Sequence, residues 1–245
     1  MTNGNFSMES IFNPNAQLRE EALADRYSCI VVDDALKDPE QLVRYAAAHR
    51  YAFRPSATAY PGVSLAAPAH VANDLAGYFA LQVRRRFDAR RLVNLNCLLS
   101  MVTLPPAALQ PAQWLCHSDI LTLNPRQSIQ ASVLYLFKDE TLGGTSFYSS
   151  TRSPQETAAM FDDAARLSPA AFTQRHSIPP GYMIGSNPYF RHMGSIAARW
   201  NRLIFYDGSV MHSGDIAAPE KLTGDPLTGR LTLNGFFTCR RNLVP

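Results

Sequence analysis

Residues 229–239 read GRLTLNGFFTC. Leucines alternate with polar residues, the period-two pattern of a strand with one face buried. On that reading Arg230, Thr232 and Asn234 share one face, and Leu231 and Leu233 share the other. An arginine facing into a β core needs an anion, because burying it unpaired is costly. Its planar fork matches a carboxylate through two hydrogen bonds, and a hydroxyl two residues on can add a third. A structural salt bridge to a core carboxylate meets the same need, so Arg230 alone does not separate a ligand site from a core pair.

Working outward, the segments 92–102 (LVNLNCLLSMV), 128–137 (SIQASVLYLF), 145–150 (TSFYSS) and 202–208 (RLIFYDG) are also short β-type runs between Gly and Pro punctuation. Several such runs indicate an antiparallel sandwich or barrel, not a βαβ sheet. Upstream, CIVVDD at 29–34 reads as a strand by its β-branched run. A helix follows, with Asp38 as cap, Pro39 in the first turn, Gln41 completing a capping box, and Leu42, Val43, Ala46 and Ala47 on one face. A second helix over 69–87 buries Val71, Leu75, Tyr78, Phe79 and Val83. Between the β runs, residues 151–199 read as an insertion, a lid or docking surface. It opens on the capping box Ser153-Pro154-Gln155-Glu156, has a second helix start at Ser168-Pro169, and ends turn-rich.

The expected fold is α+β with a mainly β core. Residues 1–26 form a loosely held arm, and 27–245 form one domain: α/β support over 27–93 and a β core over 94–240, interrupted by the insertion.

The chain has 245 residues, 46% hydrophobic and 18% charged, enough to build a sizeable core. Its net charge of +3 gives no reason to expect nucleic acid. The one basic run, VRRRFDARR at 83–91, reads as a solvated helix face. Cys29, Cys97, Cys116 and Cys239 form no C-x-x-C pair, and no apolar run approaches the roughly 18 residues of a membrane span. The opening MTNGNFSMES is polar, so a cytoplasmic protein with reduced thiols is expected, and the sequon at 5–7 carries no weight. The oligomeric state is not readable.

His117, Ser118 and Asp119 lie in WLCHSDI, and His212 lies in VMHSGDI. On a strand, His117 and Asp119 point the same way. With His212 they supply two imidazoles and a carboxylate, the ligand set of non-heme Fe(II) oxygenases. Zn(II) accepts the same donors, so a hydrolase also fits. His49, His70, His176 and His192 have no partner at ligand spacing, and Trp114 and Phe147 read as core.

The ordered series His117-x-Asp119, VLYLFKDETLGGTSFY, His212 and Arg230-x-Thr232 resembles the Fe(II)/2-oxoglutarate-dependent dioxygenases, most closely their prolyl 4-hydroxylase type. The resemblance implies a double-stranded β-helix, a jelly-roll-like core with flanking N-terminal helices. It further implies Fe(II) on His117, Asp119 and His212, and 2-oxoglutarate held through its distal carboxylate by Arg230 with Thr232 and Tyr135. O2 is then the oxidant, and succinate and CO2 are the products. Gly143 and Gly144 shape the hairpin beside the site. Phe137 stands where that family's strand carries Asn, and 215–229 lengthens the stretch before Arg230. Asp119 keeps the carboxylate that a halogenase of this family replaces with a small residue. The substrate, a peptide side chain, amino acid or other small molecule, is not legible, and a non-catalytic binding protein on the same scaffold is the alternative.

Overall fold

The computed structural model describes residues 10–24, 27–56, 59–119 and 124–242; the sequon at 5–7 lies outside them. The strands are β1 (Leu18–Ala22), β2 (Ser28–Val32), β3 (Arg54–Pro55), β4 (Gly62–Ala66), β5 (Arg91–Val102), β6 (Gln127–Tyr135), β7 (Thr145–Ser150), β8 (Phe190–Ile196), β9 (Leu203–Asp207), β10 (Met211–Gly214) and β11 (Arg230–Arg240). The α-helices are α1 (Glu40–Ala48), α2 (Ala69–Tyr78), α3 (Pro154–Arg166) and α4 (Pro169–His176). The strands form two antiparallel sheets, a large one in the order β1-β2-β9-β6-β11-β5-β4-β3 and a small one in the order β10-β7-β8.

Each face of the large sheet has its own apolar layer. On the outer face, Leu99, Leu134, Leu233 and Phe237 pack with Val71, Leu75 and Phe79 of the α2 region. Phe79 stacks on Phe237 with ring centroids 4.1 Å apart. On the inner face, Ala131, Tyr135, Ile204 and Tyr206 meet Phe147, Met193 and Ile196 of the small sheet. A third cluster joins Trp114 to Met160 and Phe172 of α3 and α4 and to Tyr148 and Phe190 on the far side of the small sheet. The architecture is a mixed helix and antiparallel-sheet fold, as expected. No helix among the described residues is long and apolar enough to cross a membrane.

Several expectations need correction. The 10–24 segment is not a loose arm: Phe12 is buried and β1 is the edge strand on β2. Asp38 does not cap α1, whose N-cap is Pro39 without a side-chain bond; the Asp38 carboxylate instead accepts from Arg44 Nη2 at 3.2 Å. The long second helix loses its α geometry after Tyr78 and becomes a wide π turn over Phe79–Val83, which still buries Phe79 and Val83. The basic run is no single helix face, because Arg84–Arg86 form a 3₁₀ turn and Arg91 opens β5. Capping at Ser153 and Ser168 is present as read. The insertion ends early: 190–196 is strand β8, paired with β7.

The hairpin between β6 and β7 is set by its glycines. Gly143 has φ +91°, and a Cβ there would sit 1.8 Å from the Asp215 carbonyl oxygen. A Cβ on Gly144 would sit 2.0 Å from the Ile196 carbonyl oxygen. Backbone cannot yield cheaply to such contacts, so Gly144→Ala is expected to lower stability by at least ~2 kcal/mol. Urea denaturation checks this; an unchanged midpoint would show that the hairpin tolerates displacement.

Candidate metal and anion site

His117 and His212 are brought together by their own backbones. His117 N–H donates to the His212 carbonyl at 2.9 Å, and His212 N–H to the His117 carbonyl at 2.8 Å. This is an isolated bridge rather than a full strand around His117. Asp119 N–H donates to Gly208 O at 2.7 Å, placing the carboxylate at the end of β9. Donor atoms of His117, Asp119 and His212 all lie within 4.8 Å of one another.

The side-chain geometry suits a shared cation. His117 Nε2 lies 3.8 Å from Asp119 Oδ1, and His212 Nε2 lies 3.4 Å from Asp119 Oδ2. Atoms each about 2.1 Å from one ion sit at about such mutual distances. Asp119 Oδ2 is buried with no hydrogen-bond partner, which is costly unless a cation answers it. His212 Nδ1–H donates to Val210 O at 2.8 Å, which leaves Nε2 as the free lone pair. Tyr206 packs edge-on against the His212 ring, with centroids 4.7 Å apart. The donor set therefore fits a divalent metal.

Burial tunes all three groups the same way, toward neutrality. Desolvation pushes Asp119 up to about 6, against the pull of His117. Desolvation also pushes His212 down to about 4. His117 moves down to about 4 through desolvation and the neighbouring His212, although 59% of its side chain is exposed, so solvent screening softens that shift. Both rings are thus neutral near pH 7, as ligands must be.

Arg230 is 5% exposed at the head of β11. Its Nε donates to Leu142 O at 3.0 Å and Gly143 O at 3.1 Å, and Nη2 donates to Gly144 O at 2.8 Å. Among the described residues no carboxylate pairs with it, so the core salt bridge left open by the sequence is not what holds it. Its partners are the hairpin carbonyls, and among the described residues no ion pair neutralises its charge beside the His117, Asp119 and His212 cluster. Arg230, Thr232, Asn234, His117, Asp119 and His212 line one pocket.

Thr232 reaches the pocket, but its hydroxyl is directed at Ser100 O, 3.4 Å away. Tyr135 is fully buried and shares a 2.8 Å hydrogen bond with Thr145 Oγ1; Thr145, not Tyr135, faces the pocket. Tyr60 also lines it; burial raises its phenol pKa, and the charge of Arg230 pulls the other way. Nothing in the sequence around Tyr60 marked it, because β4 was not legible. Among the remaining histidines, His176 bridges Tyr189 Oη and Asp163 Oδ2 inside the insertion.

A family model described as a family of unknown function, DUF6445, matches residues 14–237. The chain belongs to this DUF6445 family. No curated protein matches it in sequence. Among solved structures it is similar to a prolyl-4-hydroxylase of Pseudomonas putida at 15% identity and TM-score 0.41, covering 88% of this chain and 93% of that one. HygX of Streptomyces hygroscopicus, with nickel and 2-oxoglutarate bound, gives 10% identity and TM-score 0.48, covering 88% and 83%. The non-heme alpha-ketoglutarate-dependent epimerase SnoN gives 13% and 0.38, covering 87% and 81%.

The pKa shifts give opposed pH effects. The unfolded chain binds more protons at the His212 position between about pH 4 and 6.5, so that contribution rises with pH. At Asp119 the folded state binds more protons between about pH 4 and 6, so that contribution falls as pH rises. Asp119→Asn removes the second effect. The metal-free variant is expected to be more stable than the parent at pH 7 by roughly 2 kcal/mol, and to gain nothing from added Mn(II). Thermal melts with and without metal check this; a metal-free variant no more stable than the parent contradicts the burial cost assigned to Asp119.

Proposed function

We propose that this DUF6445 protein is an Fe(II)- and 2-oxoglutarate-dependent oxygenase on a double-stranded β-helix core. The reading is supported most by one observation: a buried arginine with no carboxylate partner among the described residues lines the same pocket as two imidazoles and a carboxylate at ligand spacing. A zinc hydrolase needs the three donors but has no general need for such an arginine. The order of these residues in the chain also resembles the dioxygenase series.

His117, Asp119 and His212 would hold Fe(II), leaving positions open for co-substrate and O2. The bound iron supplies oxidative decarboxylation of 2-oxoglutarate with O2 to succinate and CO2, the second oxygen atom hydroxylating the substrate. The chain's own residues supply geometry and charge. Val210 O fixes the His212 tautomer, so Nε2 is the coordinating atom. Arg230, already anchored through Nε and Nη2, would present its remaining N–H groups to the distal carboxylate of 2-oxoglutarate. Thr145, backed by Tyr135, and Tyr60 border that end of the pocket. The hydroxyl of Thr232 would turn from Ser100 O to join them.

Anaerobic protein mixed with Fe(II) and 2-oxoglutarate is expected to develop the visible charge-transfer band of the chelate. Asp119→Ala should abolish it. Arg230→Met should raise the 2-oxoglutarate Kd by about 100-fold, the loss of a charge-assisted pair worth about 3 kcal/mol, with Fe(II) affinity retained. A well-metallated parent without the band sinks the oxygenase reading, and substrate-independent succinate formation separates an enzyme from a binding protein.

A further inference from the structure

Resting on that functional reading, we propose that the substrate carries a terminal anion, a carboxylate or phosphate, held by Arg91 and Arg240 at the open end of the inner sheet face. Register places Arg91 and Arg240 directly opposite each other on β5 and β11. Like charges in that relation repel, and proteins ordinarily avoid the pairing. Here neither side chain has a hydrogen bond or ion pair among the described residues, and both are exposed. The nearby acid, Asp88, is committed elsewhere: it lies 3.8 Å from Arg241 Nε and accepts from Asn242 N–H.

The pair is produced by an irregularity. The β5–β11 register shifts between Thr238 and Cys239, with Val93 left over. Without that bulge Leu92, not Arg91, would stand opposite Arg240. With it, Leu92 packs into the outer apolar layer, and Arg91 joins Arg240 on the inner face.

That face leads to the metal donors. Arg230, Thr232, Asn234, Phe236, Thr238 and Arg240 alternate onto one side of β11. Burial falls along the series. Arg230 and Thr232 are closed off, the next three are partly exposed, and Arg240 is open. Thr238 pairs with Ile129, whose carbonyl receives Gly208 N–H, and Gly208 O in turn receives Asp119 N–H. Counting three strand spacings and two residues, Arg240 stands about 15 Å from the His117, Asp119 and His212 cluster, with Arg91 one strand further. Between them the face offers Phe236, with Asn96 and Asn234 beside it. A ligand that fits has an apolar body, its reacting carbon at the metal and its anion at the arginines.

The test uses the full chain loaded with Mn(II) and 2-oxoglutarate. Relaxation of inorganic phosphate (³¹P) and of acetate (¹³C) by the bound Mn(II) reports whether, and how far from the metal, each anion binds. We expect at least one anion at about 15 Å, and at least a fivefold weaker effect in Arg91→Gln/Arg240→Gln, with Mn(II) affinity unchanged. The stronger arm tells phosphate from carboxylate. An effect equal in the double variant, an anion in the Mn(II) coordination sphere only, or no binding of either overturns the proposal. If the parent takes up no Mn(II), the metal reading fails instead. Equilibrium dialysis of phosphate against metal-free parent and double variant then still decides the arginine pair, equal binding overturning it.

Discussion

The seating of Arg230 constrains everything around it. A guanidinium taken out of water must be answered by oxygen, and here the oxygens are three successive carbonyls, Leu142, Gly143 and Gly144. Successive carbonyls converge on one group only where the backbone turns sharply, which is why the turn contains a residue at positive φ. The same turn is pinned from behind by the Asp215 and Ile196 backbones, which leave no room for side chains. One charge thus ties the head of β11 to the β6–β7 hairpin, and the hairpin to the loop after β10. Carbonyl dipoles orient and solvate the cation without cancelling it, so the pocket keeps a net positive end.

The metal donors show the complementary economy. Asp119 and His212 are buried, with an oxygen unanswered and a ring held neutral. His117 and His212 also lie close enough to disfavour charge on each other. Such a group of side chains lowers the stability of the metal-free protein. It persists because the surrounding backbone bridges, His117 with His212 and Asp119 with Gly208, hold it in place independently of the side chains. A locally unfavourable cluster offset by ordinary sheet bonding is a general pattern.

Much of this was legible because strand alternation carries chemical information. The polar face of GRLTLNGFF, the capping box at Ser153 and the helix start at Ser168 are local patterns, and the structure realises each where local rules place it; His117 and Asp119 come together without the strand that the His-x-Asp spacing suggested. What was not legible depends on contacts far apart in sequence. The edge strand β1 has a polar, unremarkable sequence and exists through its ladder with β2. Strand β8 falls inside the stretch read as an insertion, yet β7 recruits it. Tyr60 enters the pocket from the segment just before β4, whose pairing with β5 no local signal announces. The role of the Gly143-Gly144 carbonyls as the seat of Arg230 joins positions 86 or more residues apart.

The two arginine sites on the inner face differ in a way that separates their roles. Arg230 sits at the closed end, under the small sheet, already holding three backbone carbonyls. Preorganisation of that kind suits a ligand that is the same in every turnover, since the ordering cost is met during folding. Arg91 and Arg240 stand at the open end, unanchored and facing each other. A like-charged pair of that kind suits the proposed anion of the variable partner, since an anion between the two would relieve their repulsion. His117, Asp119 and His212 line the same pocket as Arg230. On the proposed function, a single sheet face would sort its ligands by burial: the invariant co-substrate at the dry end, the substrate entering from the wet end, and the chemistry where the two meet.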